Sequence, residues 1–272
     1  MSKVLVTHIN PHLDDICAYW LFKKFHPDFH NANLEFISAS REAALEEESE
    51  DRVFLGTGGG QFDEHKGDLD DSATSLVWKY LKKENFTPKD EAEEKALAEL
   101  VEWVRLDDLG KLKNLPHAEF YVPGFIRVYG QNQQQDSLEN TDLGVKILNR
   151  IYQVLISKQK SKKDWENRLE FSTKWGQGVA IESENVSRSF CDSQKGDIFL
   201  MYDPKYKSVQ FYTPKENIDL EPIYNKVKEL DPEASWFLHQ SHKMVICGSG
   251  SAPASNPTKL AFNQLMDVLK SI

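Results

Sequence analysis

Val4-Leu-Val-Thr-His-Ile-Asn-Pro-His-Leu-Asp-Asp-Ile-Cys-Ala-Tyr-Trp-Leu-Phe22 is the stretch on which the reading of this chain turns. It opens as an apolar, β-branched run, Val4, Leu5 and Val6, of the kind expected for a buried strand. It closes as a helix, with Ile16, Tyr19, Trp20 and Phe22 supplying a broad apolar face. His8, His12, Asp14 and Asp15 lie between the two. Imidazoles and carboxylates are the ligands that manganese, iron and zinc accept. A turn at the carboxyl end of a parallel strand is where open α/β sheets place their ligands. The stretch therefore predicts a metal site at the end of the first strand. The competing reading is local: Asp14 or Asp15 can serve only as a helix cap.

The remaining composition bounds the function. The chain has 272 residues with 43 acidic against 33 basic side chains, a formal net charge of −10. That balance argues against a general nucleic-acid coat, which needs a basic surface. It leaves room for a small phosphorylated substrate held by a local basic patch. The three cysteines, Cys17, Cys191 and Cys247, form no Cys-x-x-Cys pair, which suits a reducing compartment and gives no zinc-ribbon signal. No apolar run reaches the roughly 20 residues of a membrane span. The expectation is a cytoplasmic protein with no membrane partner.

Strands are predicted over 34–39 and 53–55, with an acidic helix between them over 41–51. The second strand runs into Gly56-Thr-Gly-Gly-Gly60 and then Asp63-Glu64-His65. The glycine run lacks the Lys-Ser/Thr of a P-loop, so it reads as a turn that lets the backbone pass close to a ligand. Apolar spacing predicts helices over 72–83 and 87–106, the latter ending in Asp107-Asp108-Leu-Gly110. Residues 117–140 look irregular, and the glutamines at 131–135 read as an exposed loop. A helix over 142–156 is followed by a basic stretch at 157–164 that reads as a solvated linker. Beyond it, short strands at 178–181, 198–202 and 209–212, helices at 220–230 and 257–272, and a strand leading into Gly248-Ser-Gly-Ser251 describe a smaller α+β domain. The domain reading is 1–156, a linker over 157–170, and 171–272.

The order and content of these segments resemble the DHH phosphoesterase superfamily, and within it the Myg-type metal-dependent hydrolases. His8, His12 and Asp14 match the spacing of the family's first motif, with His in the middle place. Asp63-Glu64-His65 answers Asp-His-His, and Asp107 or Asp108 answers the fourth acidic position. The sequence departs at the second motif. Where the family carries a metal-bridging Asp, this chain reads Leu55-Gly56-Thr57. Glu64 also replaces the first His of Asp-His-His.

The resemblance implies an α/β fold: an N-terminal parallel-sheet catalytic domain and a smaller C-terminal α+β domain that closes over the substrate. It implies a phosphohydrolase using a divalent metal, manganese first, with zinc, cobalt or magnesium as alternatives. The substrate would be a small phosphorylated compound or short oligonucleotide, and a dimer is compatible with the sequence. His8, His12, Asp14, Glu64, Asp107 and Asp108 would hold metal. Asp63 would hold a metal ligand in place, and His65 would meet the phosphate or leaving group. Arg188, His239, His242, Lys243 and Gly248-Ser249-Gly250-Ser251 would contact substrate. Two other readings stand beside this one: a member that binds ligand without turnover, and a zinc deacetylase using Pro11-His-Leu-Asp-Asp15 with Asp15 as base.

Overall fold

The computed structural model describes residues 2–39, 48–66, 70–112, 117–126, 132–248, 252 and 254–272. The expected helix over 41–51 falls largely outside them, as do Ser249, Gly250 and Ser251. The chain divides into two compact units, Met1–Ile156 and Ser157–Ile272. Together they make the expected α/β arrangement, a parallel sheet in one and a mixed sheet in the other.

In the first unit β1 (Val4–His8) is the middle strand of a parallel sheet. It is flanked by β2 (Asn33–Ile37) and β3 (Arg52–Phe54). Helix α1 (Leu13–Phe25) follows β1, and every residue from Leu13 to Phe22 is buried. A helix apolar on all sides must be enclosed, and neighbours supply the enclosure. Helices α2 (Ala73–Lys83) and α3 (Glu91–Asp108) share a core cluster with it. Helix α3 starts four residues later than the spacing predicts. Pro88 disfavours helix before it, and the Asp90 carboxylate accepts from Glu93 N at 3.0 Å as a cap. At its other end α3 runs on through Asp107 and Asp108, which therefore occupy its last turn.

A four-residue helix, α4 (Val122–Phe125), precedes the long α5 (Gln133–Asp164). Two expectations change here. The glutamines at 133–135 begin a helix, and the basic stretch at 157–164 ends the same helix. Ser137, Thr141, Leu148 and Tyr152 are buried on it, so tertiary packing overrides a polar local sequence. Gly144 lets α5 approach α1, because a Cβ there would lie 2.8 Å from Ile16 Cγ2. The boundary between the units falls inside α5.

The second unit holds β4 (Leu169–Thr173), β5 (Gly176–Glu182), a short α6 (Arg188–Cys191), β6 (Ile198–Asp203) and β7 (Ser208–Tyr212). Helix α7 (Glu221–Leu230), β8 (Trp236–Leu238), β9 (Met244–Cys247) and α8 (Phe262–Ser271) complete it. The strands form one sheet in the order β4-β5-β6-β7-β9-β8. Strand alternation divides its two faces. Ala180, Ile198, Leu200 and Phe211 pack with α7 and α8, whereas Val179, Ile181, Phe199 and Met201 pack with Trp165 and Cys191. Helix α8 begins at Phe262, later than predicted. Asp231 holds the preceding chain extended by accepting from Thr258 Oγ1 and Lys259 N, both at 2.8 Å.

Candidate metal centre

Three segments of the first unit converge on one cavity of about 610 Å³. The end of β1, the turn after it and the first turn of α1 bring His8, His12, Asp14 and Asp15. The loop after β3 brings Gly56, Thr57 and Gly58, then Asp63, Glu64 and His65. The last turn of α3 brings Asp108. Among the described residues no lysine or arginine lines it, so its charge is carried by imidazoles and carboxylates.

The β1–α1 turn is built to aim these groups. Asn10 takes a positive φ of 56°, and its N–H donates to Ser137 Oγ at 2.8 Å. His12 is the cap residue of α1, and its backbone N–H donates to the Asp15 carboxylate at 2.8 Å. Three residues apart on a helix start, His12 and Asp15 share a face. His8 Nδ1 lies 2.7 Å from Ile9 O, and its Nε2 lies 2.9 Å from Asp15 Oδ2. Burial alone would lower the His8 pKa, but the Asp15 carboxylate outweighs burial and holds it at about 9. Without a metal, His8 and Asp15 are an ion pair.

Asp14 faces the start of α2. Its two oxygens accept from Ala73 N at 2.8 Å and Thr74 N at 3.1 Å. Burial, then the charges of Asp15 and Asp108, push its carboxyl well above the usual range. Burial likewise raises Glu64 to about 7, and raises Asp107 and Asp108. Glu64 Oε2 is buried with no hydrogen-bond partner among the described residues.

Asp63 is the exception. Burial opposes its ionisation, but hydrogen bonds from Gly59 N at 2.7 Å, the His65 ring at 2.8 Å and His65 N at 3.0 Å hold its pKa low. An ionised Asp63 thus fixes the His65 ring, whose side chain is 53% exposed.

Potential ligand atoms of His8, His12 and Asp15 lie within 4.8 Å of one another, and so do those of Asp14, Glu64 and Asp108, and those of Asp63, Glu64 and His65. The last two groups share Glu64, and all three border one cavity. Nitrogen and carboxylate oxygen donors suit manganese, iron or zinc. The orphaned Glu64 Oε2 and the crowding of buried carboxylates fit a bound cation, which would satisfy both.

Not every expected residue joins this cavity. Asp107 lies on a separate space of about 190 Å³, with His12, Leu13, Asp14, Asp108 and Pro123. Asp15, which falls in the opening stretch but not in the ligand set that the resemblance implies, stands beside both histidines. The His12-to-Asp15 spacing on the helix was the signal that could have revealed it.

Among the described residues, the substrate candidates of the second unit gather about the turn before β9, with Gly248 apart from them. His239, His242 and Lys243 sit in the turn before β9, and Gly248 at its far end. Lys243 Nζ is engaged by Glu216 O and Ile218 O, both at 2.6 Å. The His242 ring meets Asp219 at 3.0 Å and the His239 ring meets Ser241 at 2.8 Å. Exposed Arg188 donates to Met244 Sδ at 3.1 Å.

No protein-family model matches the chain, and no curated protein matches it. Among solved structures, the pGpG-specific phosphodiesterase PggH from Vibrio cholerae is 13% identical over 98% of each chain, with a TM-score of 0.33. The DHH domain of a protein described as a member of a ribosomal-protein family is 11% identical, with a TM-score of 0.33 over 99% of this chain and 86% of that one. RecJ from Thermus thermophilus, in complex with Mg2+, is 10% identical, with a TM-score of 0.35 over 99% of this chain and 49% of that one. Likenesses this low do not establish a family for the chain.

Proposed function

We propose that the first unit is a metal-dependent phosphohydrolase acting on a phosphodiester or a small phosphorylated compound, such as a nucleotide or short oligonucleotide. The observation that supports it is the convergence of His8, His12, Asp14, Glu64 and Asp108 on the cavity that also holds the Asp63–His65 pair. Such a cavity repels an anionic substrate unless cations offset its carboxylates. His8, His12, Asp14, Glu64 and Asp108 would hold a divalent metal, manganese first. A metal supplies two things that phosphoryl transfer needs: a lower pKa for the attacking water and charge to offset the phosphoryl oxygens. Asp63 keeps the His65 ring oriented toward the phosphate or the leaving group. The presence of Asp63, Glu64 and His65 in the same cavity favours this reading over a one-zinc deacetylase. To the second unit we assign substrate contacts, with Arg188 and His239 as the exposed candidates.

The test is hydrolysis of bis-p-nitrophenyl phosphate by metal-stripped protein, with manganese, cobalt or zinc added back. Turnover should require metal and vanish in His12→Ala and Asp14→Ala. Metal binding without turnover on this compound or on dinucleotides would point to a ligand-binding protein. Absence of metal binding would overturn the reading.

A further inference from the structure

The loop after β3 has no carboxylate at position 56, and the structure gives a reason. Gly56 has φ +64°, a left-handed conformation that favours glycine. A Cβ built on it would overlap Asp15 Oδ1 and lie 3.1 Å from Asp15 Cγ. The place where a side chain at 56 would start is therefore filled by the Asp15 carboxylate, delivered from helix α1.

His8 defines what that carboxylate faces. Ile9 O can only accept a hydrogen bond, so His8 Nδ1 carries a proton and donates to it. This leaves Nε2 as the ring atom available to a metal. Asp15 Oδ2 stands 2.9 Å from that same Nε2. The Ile9 carbonyl thus already fills the role of the outer partner that orients the ring, and Asp15 is on the metal's side.

Resting on the reading of this cavity as a metal centre, we infer that Asp15 is itself a metal ligand, paired with His8 on one cation. It replaces the carboxylate that position 56 lacks, and Gly56 is glycine to make room for it. The inference assigns Asp15 a role that neither helix capping nor general-base chemistry requires.

Calorimetric titration of the metal-stripped full chain with Mn2+ tests it. Loss of an outer partner weakens metal binding by about 10–100-fold. Asp15→Asn, which keeps an oxygen to accept from His12 N, should weaken binding by more than 100-fold or remove one ion from the stoichiometry. Gly56→Ala should do the same by displacing the carboxylate. Melting curves establish that each variant is folded. A loss of 100-fold or less with unchanged stoichiometry in folded Asp15→Asn would overturn the inference.

Crystals of the parent chain grown with Mn2+ decide the matter even if both variants misfold. Anomalous density bonded to both Asp15 and His8 Nε2 supports the inference. An ion held in the cavity without Asp15 overturns it and leaves the metal-centre reading intact. A parent chain that binds no Mn2+ by either method overturns both.

Discussion

Glu64→Gln should stabilise the protein when metal is chelated, and the gain should depend on pH. Burial lifts the Glu64 carboxyl from its ordinary 4.5 to about 7, and the charges of Asp15 and Asp108 add to the rise. Its Oε2 has no hydrogen-bond partner among the described residues. A carboxyl raised in the folded state binds more protons there than in the unfolded chain. Stability therefore falls as the pH rises from 4.5 to about 7. A displacement of that size corresponds to about 3 kcal/mol once the pH exceeds both values. Glutamine has the same shape and no charge, so it removes this cost. In EDTA at pH 8, Glu64→Gln should melt several degrees above the parent, at about 2–4 °C per kcal/mol for a protein of this size. At pH 4 the two should melt together. Saturating Mn2+ should reverse the order, because a cation that binds the folded parent more tightly stabilises it more. Melting curves at the two pH values, with EDTA and with Mn2+, contain the whole test. A variant no more stable than the parent at pH 8 in EDTA would refute the electrostatic account of the cavity.

Asp63→Asn should leave Mn2+ affinity within about 3-fold of the parent while lowering kcat about 100-fold, the scale of a 1 Å misplacement of a reacting group; steady-state kinetics and calorimetry separate the two. His26 is buried against Phe22 and Tyr80 and accepts from Asp28 N at 3.2 Å through Nδ1, and burial lowers its pKa. A depressed imidazole contributes stability above its unfolded pKa that is lost as the pH falls, so the melting temperature of His26→Phe should gain on that of the parent as the pH falls from 7 to 5. Lys243→Met should destabilise the second unit by about 1–3 kcal/mol, because the ammonium bonds two backbone carbonyls; urea melts that match the parent would show that the lysine is free for another role.

The β1–α1 segment was legible because its two periodicities are local. A β-branched run followed by an apolar helix leaves few arrangements once the histidines fall between them. The same holds for α2, for the continuous apolar run of β6 and for β7, whose alternation is unambiguous. Helix α5 was not legible at its ends. The glutamines and lysines that begin and close it are polar, and their helicity comes from the buried stripe of Ser137, Thr141, Leu148 and Tyr152.

For the candidate site the division is sharper. The amino-acid sequence alone supplied the donor types and their order: His8, His12, Asp14, then Asp63, Glu64 and His65, then Asp107 or Asp108. Those are properties of residues and short spacings. Which of them share a cavity was decided only by the parallel pairing of β1 with β3 and by the packing of α1 against α2 and α3. That packing placed Asp107 on a different space and brought Asp15 against Gly56. The two residues are far apart in the chain, and a steric relation of that kind has no trace in local spacing. Only the folded backbone, with its left-handed turn at Gly56, makes the carboxylate of one segment occupy the room left by another.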